Sequence, residues 1–350
     1  MKKALDQKYE MKSASPVEAL RNDLFRLPRT QVLKIHDLML RNRLLEERLI
    51  KMYKQSDGYF WLGGPGEEAF AIPLGLQTKK GEGLDHDYFH LHYRASGIMQ
   101  AMGMDPRGSL RQMKNTIHDP FSGGRNFVGH FSIREWNVVP VSSTIETQYV
   151  TAIGTAIAQK RHGGTGVTIV TGGDAGTAEA DFASCLVWSS RPGNELPILI
   201  VVTNNGWGIS TDGATQHGEK HVADRGRAFG IKCMTIDGNN MEESWFALQE
   251  AFSYLRTERK PVLLEARVSR LYGHSSASGA NFHAEEMDPL VILEKKIEAQ
   301  GLLPRAKMDE MREQITAEYL EMAKEVKQEP MPDSSTIYDH VFYGQKGKTW

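Results

Sequence analysis

The chain has 350 residues, 40% of them apolar and 25% charged, with 42 basic side chains against 44 acidic ones. That length and apolar content suit one large α/β domain or two ordinary ones and exclude a disordered chain. A net charge of -2 provides no bulk attraction to nucleic acid or to an anionic membrane, so partners must be sought in particular sites.

In chain order, residues 1–30 read as a polar arm punctuated by Pro16 and Pro28. Apolar residues recur at helical spacing from Gln31 to Lys54. Gly63-Gly64-Pro65-Gly66 breaks that pattern, and Glu67-Glu68 opens a second helix with the apolar body Ala69 to Leu76. Asp85 to Arg94 reads as a strand running into a loop, followed by helices over 95–104 and 106–115 and a glycine-rich irregular stretch over 121–137. Val138 to Val141 reads as a small strand, 142–148 as a loop and 149–160 as an alanine-rich helix. Strands are then expected at 167–171, 198–203, 232–236 and 262–266, with helical runs at 178–188, 219–229 and 242–257 between them. Strands alternating with helices predict an α/β fold, a doubly wound and mostly parallel sheet with helices on both faces. That domain should span 31–288, followed by a charged helix over 289–327 and an extended tail to 350. Cys185 falls in a helical run and Cys233 in a strand, which suits reduced thiols and a reducing compartment, a bacterial cytoplasm or an organelle matrix. No apolar run approaches the roughly 20 residues of a membrane helix, and the first residues resemble neither a secretory signal nor a transit peptide.

The informative stretch is Gly172 to Gly208. Open α/β sheets bind ligands beyond the carboxyl ends of their strands, so Asp174 and Asn205, 31 positions apart, should face one crevice if their strands are neighbours. Magnesium takes hard oxygen ligands and leaves part of its shell to phosphates and water. The carboxylate of Asp174, the amide oxygen of Asn205 and the carbonyl of Trp207 would suit it. Gly173, Ala175 and Gly176 allow close backbone approach, and a helix starting near Thr177 would offer free N–H groups to an anion.

Gly173-Asp174-Ala175 followed by Asn204-Asn205 resembles the thiamine diphosphate motif. Tyr93-Arg94, Ser142-Ser143, Asn204 to Thr211, Asp237-Gly238-Asn239 and Gly273-His274-Ser275 stand in the order found in the α subunits of heteromeric 2-oxoacid dehydrogenase decarboxylases, the pyruvate, branched-chain and acetoin types. The likeness runs from about Gln31 to Phe342. It implies the thiamine diphosphate-binding fold, with magnesium on Asp174, Asn205 and the Trp207 carbonyl, and the cofactor touched by Tyr93, Arg94, Ser143, Ile145, Ala175, Gly176 and His274. Arg94 would meet the diphosphate, Ile145 would wedge the cofactor into a bent shape, and His274 would be catalytic on a loop beside the diphosphate. Ser142, Thr144, Thr147 and Gln148 match a potassium loop, where plain helix caps are the alternative. The implied reaction is decarboxylation of a 2-oxo acid and acyl transfer to a lipoyl group of a transacylase. A β subunit would supply the missing general base in a heterotetramer.

The chain departs from the pattern in four places. Ala175 stands for the usual Gly and Trp207 for the commoner Tyr. Thr203 stands where the branched-chain type has a diphosphate-binding Arg, and the loop after His274, Ser275-Ser276-Ala277-Ser278-Gly279, lacks the usual acid. The departures at Ala175 and in the loop after His274 motivate a rival, a scaffold subunit without turnover. A second rival is a metallohydrolase built on His90 and His92 with Asp85 and Asp87. His130 and Arg125 read equally well as site residues or as ties within their loop.

Overall fold

The computed structural model describes residues 23–339 and 341. Most of the arm expected at 1–30 and the last residues of the tail therefore lie outside the described residues. Five parallel strands form the main sheet: β1 (Tyr88–His90), β2 (Thr168–Gly173), β3 (Ile198–Asn204), β4 (Lys232–Asp237) and β5 (Val262–Arg267), side by side in the order β1-β2-β3-β5-β4. In β3, Ile198 to Val202 is apolar at every position and every residue is buried. Such a run, without alternation, is what a parallel strand covered on both faces requires.

One face is covered by α5 (Thr147–Arg161), α6 (Ala180–Ser189) and the short α7 (Asp224–Arg227); Ile153, Phe182 and Val222, which lies just ahead of α7, pack with Val170, Ile200 and Leu263. The other carries α2 (Glu68–Gln77), α3 (Ser96–Ala101) and α8 (Met241–Glu258), with Leu74, Met99 and Leu248 against Ile169, Val201 and Leu264. An outer helical layer consists of α1 (Arg29–Lys54), α4 (Pro106–Lys114), α9 (Pro289–Ala299) and α10 (Arg305–Lys327). It shares a second core in which Met39 and Leu45 meet Leu110, Leu293 and Tyr319.

Three expected elements differ. The strand expected at 138–141 is reduced to bridges from Val138 to Phe89 and Ile133, because Pro140 has no N–H to extend a ladder. The helix expected over 219–229 is confined to Asp224–Arg227, since His217, Glu219 and Arg225 pair with one another in irregular backbone. The C-terminal helix is broken in two where Gly301 takes φ +65° and Pro304 precedes α10.

Candidate functional site

The site forms where β2 and β3 end. Gly173 pairs with Thr203, so Asp174 and Asn205 leave neighbouring strands side by side. The loop after β3 is fastened from within. Asn204 Nδ2 donates to the buried Glu265 of β5 at 2.7 Å, and Glu265 also accepts the Ala223 N–H at 2.9 Å. Asn204 Oδ1 accepts the Gly206 N–H and Asn205 Oδ1 accepts the Trp207 N–H, both at 3.0 Å. Gly206, at φ +74°, supplies the left-handed turn these bonds need. Two polar atoms at these strand ends stay unused: Asp174 Oδ2, after β2, and Asn205 Nδ2, after β3, are buried without a hydrogen-bond partner. An orphaned buried carboxylate oxygen is costly and asks for a counter-charge.

Close packing explains the departure at Ala175. A Cβ on Gly208 would lie 2.7 Å from the Ala175 methyl and 2.6 Å from the Gln216 side chain, so Gly208 makes the room that Ala175 takes. A Cβ on Gly173 would stand 3.4 Å from Arg94 Nη2. The α-helix expected to start near Thr177 is preceded by a 3-10 turn, Ala175–Ala178, in which Thr177 donates back to the Asp174 carbonyl; α6 proper begins at Ala180.

A cleft of about 250 Å³ brings Tyr93, Arg94, Ile145, Asp174, Ala175, Gly176, Trp207 and His274 together, with His92 and Glu146 on the same wall. Arg94 is buried, its Nε 3.3 Å from Glu67 Oε1 and its Nη1 3.4 Å from the Tyr93 hydroxyl. Burial pulls the Arg94 pKa down, but Tyr93, Glu67 and Asp174 outweigh it and the guanidinium stays charged. Burial pushes the Glu67 carboxyl up to about 7 against the pull of Arg94, and pushes Glu146 up to about 8. Asp174 is raised by the same cause, opposed by backbone N–H groups, Arg94 and His217. One arginine thus faces three crowded carboxyls. The cleft can accept a cation at Asp174 and an anion at Arg94, and a cation–anion pair relieves both.

His274 lies edge-on to Tyr93, with ring centroids 6.2 Å apart. Burial, then Arg94 and Arg270, lowers it to about 4, so its imidazole is neutral at pH 7 and can take a proton. Ser143, which is exposed and is not among the residues lining the cleft, bonds His130 Nε2 through its hydroxyl, which makes His130 the partner of an expected site residue. Arg125 ties its own loop to the carbonyls of Ser122 and Thr336. In the loop at 142–148, Ser142 and Thr144 are exposed and the Thr147 hydroxyl donates to the Thr144 carbonyl. Gln148 Oε1 is buried without a partner.

His90 and His92 diverge. Both ring nitrogens of His90 contact hydroxyls of α5, Thr151 at 3.2 Å and Thr155 at 2.9 Å. Asp87 pairs with Arg256 and Asp85 bonds Thr165. Among the described residues no group of three or more His, Cys, Asp or Glu side chains is placed to hold a metal ion, so the hydrolase reading has no site. Sequence reasoning missed Glu67 and Glu146. Glu67 had a signal in the glycine-rich turn ahead of it, but Glu146 had none, since a lone acid at a helix start reads as a cap.

A parallel sheet covered on both faces, with an unpaired buried carboxylate oxygen and a buried arginine at its strand ends, defines an α/β protein whose ligand crevice lies at that edge. The chain belongs to the dehydrogenase E1 component family, whose model matches residues 36–335; it is an α-type subunit of a thiamine diphosphate-dependent 2-oxoacid dehydrogenase, an oxidoreductase. It is similar to the 2-oxoisovalerate dehydrogenase subunit alpha of Bacillus subtilis (strain 168), 25% identical over 320 residues that cover 89% of this chain and 95% of that one. It is also similar to the mitochondrial 2-oxoisovalerate dehydrogenase subunit alpha of Homo sapiens, 26% identical over 326 residues, 90% of this chain and 71% of the human one. An α subunit of this kind implies a β-subunit partner.

Proposed function

We propose that this subunit, with a β partner, carries out the oxidative decarboxylation of a 2-oxo acid and passes the acyl group to the lipoyl group of a transacylase, with branched-chain oxo acids as the first substrates to test. The observation that carries the reading is Asp174 Oδ2, a buried oxygen with no partner beside Asn205 and within the field of Arg94. In this reading Asp174, Asn205 and the Trp207 carbonyl hold magnesium, and Arg94 and Tyr93 hold the diphosphate. Ile145 and Ser143 stand at the cofactor's middle. Bound thiamine diphosphate supplies the carbanion chemistry that releases carbon dioxide. The chain's own part is binding, orientation and one proton site. Arg94 is released from Glu67 as it takes up the anion, and the neutral His274 accepts or returns a proton at the diphosphate end. Support for potassium rests on one atom, the unpartnered Gln148 Oε1.

The branched-chain assignment draws on the names of the relatives, both 2-oxoisovalerate dehydrogenases. A bacterial cytoplasm, with the mitochondrial matrix second, draws on the free thiols of Cys185 and Cys233 and on the Bacillus relative. The scaffold alternative is favoured by the crowding of Glu67, Glu146 and Asp174 around a single arginine. Turnover separates the two. The α and β chains, co-expressed and supplied with a lipoylated acceptor, are tested with pyruvate, 2-oxoisovalerate and acetoin. Turnover of 2-oxoisovalerate supports the proposal; cofactor-dependent turnover of none of them favours the scaffold.

A further inference from the structure

One buried carboxyl is used by no part of the proposed reaction. Glu46, on α1, is 2% exposed, and its two oxygens accept from groups that lead to Arg94 in one direction and to the His274 loop in the other. Glu46 Oε1 accepts the Ser96 hydroxyl at 2.5 Å, and Asn42, one turn earlier on α1, donates to the same Ser96 oxygen at 3.1 Å. Ser96 begins α3, two residues after Arg94. Glu46 Oε2 accepts the indole N–H of Trp61 at 2.9 Å. Trp61 is fully buried, and its backbone grips the loop that carries His274: its N–H donates to Ser276 Oγ at 3.2 Å and its carbonyl accepts the Ser276 N–H at 2.8 Å.

The grip continues along the chain. Leu62 bridges Ser275, and Leu271 N–H donates to the Pro65 carbonyl at 3.0 Å. Within the loop, Ser275 and Ser278 form a capping box on a single 3-10 turn. A Cβ on Gly63 would run into the Glu46 carboxylate, and one on Gly64 would lie 3.0 Å from the Arg94 carbonyl oxygen. The 61–66 segment therefore passes between Glu46 and Arg94 with no room to slide. The loop after His274, which lacks the acid expected there, is held by this serine and tryptophan arrangement, and Glu46 ties it to the arginine side.

We propose that Glu46 is a positioning residue that sets the Arg94 wall and the His274 loop at a fixed separation through Ser96 on one side and Trp61–Ser276 on the other. It touches neither the anion-binding guanidinium nor the imidazole. The inference rests on the proposed function for what the two walls hold, and on the hydrogen-bond chain alone for the coupling between them. Hydrogen bonds to a charged or buried acceptor are strong enough that cutting one limb loosens the element it holds by about tenfold or more in local opening.

The test uses the full α chain with its β partner and four variants, Glu46→Gln, Ser96→Ala, Ser276→Ala and the double variant Glu46→Gln/Ser276→Ala. Hydrogen exchange on the ligand-free complex reads the loop, and calorimetry with magnesium and thiamine diphosphate reads the Arg94 wall. Glu46→Gln keeps the shape but replaces one acceptor by a donor. It should speed exchange in 273–282 and also weaken cofactor binding, each by about tenfold. Ser276→Ala should reproduce the first effect only and Ser96→Ala the second only, while Glu46→Gln/Ser276→Ala should exchange no faster in the loop than Glu46→Gln alone. Exchange in 273–282 at the wild-type rate in Glu46→Gln overturns the proposal, as does faster exchange spread equally over β2 and β3, which marks a merely structural acid. If Glu46→Gln does not fold, loop exchange in Ser276→Ala at the wild-type rate overturns it equally. A wild-type complex that binds no cofactor removes the proposed function, while the exchange arm still decides the coupling.

Discussion

Replacing Asp174 by Asn keeps the side chain's shape and removes its charge, and the structure predicts opposite consequences for the free and the loaded protein. Asp174 Oδ2 is buried and unpaired, and burial already raises its pKa. An unsatisfied buried polar group costs about 1–3 kcal/mol, more when charged, so ligand-free Asp174→Asn should be more stable than wild type. With about 1 kcal/mol moving Tm by some 2–4 °C in a domain of ordinary size, a rise of about 2 °C is expected for this longer chain. The response to ligand reverses the order. A ligand at a hundred times its Kd stabilises by about 2.7 kcal/mol, and in the proposed assignment it is the Asp174 carboxylate that would hold magnesium against the diphosphate. The assay is thermal unfolding of the α–β complex with and without magnesium and thiamine diphosphate. Wild type should start lower and rise; Asp174→Asn should start higher and stay there. A variant that keeps the ligand-induced rise, or one whose ligand-free Tm drops by several degrees, refutes the assignment.

Gly208→Ala forces a methyl against Ala175 and Gln216; overpacking of this kind costs about 1–3 kcal/mol, so cofactor affinity measured by calorimetry should fall about tenfold and recover when Ala175→Gly is added. Burial holds the Glu67 and Glu146 carboxyls up to about 7 and about 8, against 4.5 for the free group. The folded chain thus keeps protons that the unfolded chain has released: the stability this confers is complete below about pH 4.5, declines as pH rises and is gone above about pH 8. The Tm of the ligand-free protein should therefore fall between about pH 5.5 and 8.5, with a slope of at most ~1.4 kcal/mol per pH unit for each proton, and Glu146→Gln should flatten the fall. A Tm that climbs over that interval would contradict the burial of these groups. His90→Ala should lower stability by about 1–3 kcal/mol in denaturant titration, because the Thr151 and Thr155 hydroxyls lose a partner. The same variant should bind the cofactor normally, and elemental analysis of the wild type should find no stoichiometric zinc.

The strand ends were legible because two kinds of signal meet there. Ile198 to Val202 is an unbroken apolar run, and Asn204-Asn205-Gly206 follows it as a polar turn, so both the strand and its end could be placed from residue types alone. The pairing of Gly173 with Thr203 then brought Asp174 beside Asn205 as expected. What stayed hidden were polar residues whose role depends on who buries them. Glu46 sits among charged neighbours on a helix that reads as amphipathic, and nothing local distinguishes it in the sequence from Glu47 and Arg48 beside it; only the arrival of Ser96 and Trp61 from elsewhere makes it a junction. Glu146 is hidden for the same reason, its carboxyl lying against Gly172 and Gly176, which are distant in sequence. The short α7 was overread because its helical spacing includes Glu219, whose pairing with Arg225 belongs to a loop and not to a helix face.

In the proposed function the ends of β2 and β3 hold magnesium and the diphosphate of thiamine diphosphate. Calorimetric titration of the co-expressed α–β complex tests it most directly. One site per α chain is expected, saturable with magnesium present, lost when the metal is chelated and lost in Asp174→Asn. Metal-independent binding, or no binding to the wild-type complex, would contradict it.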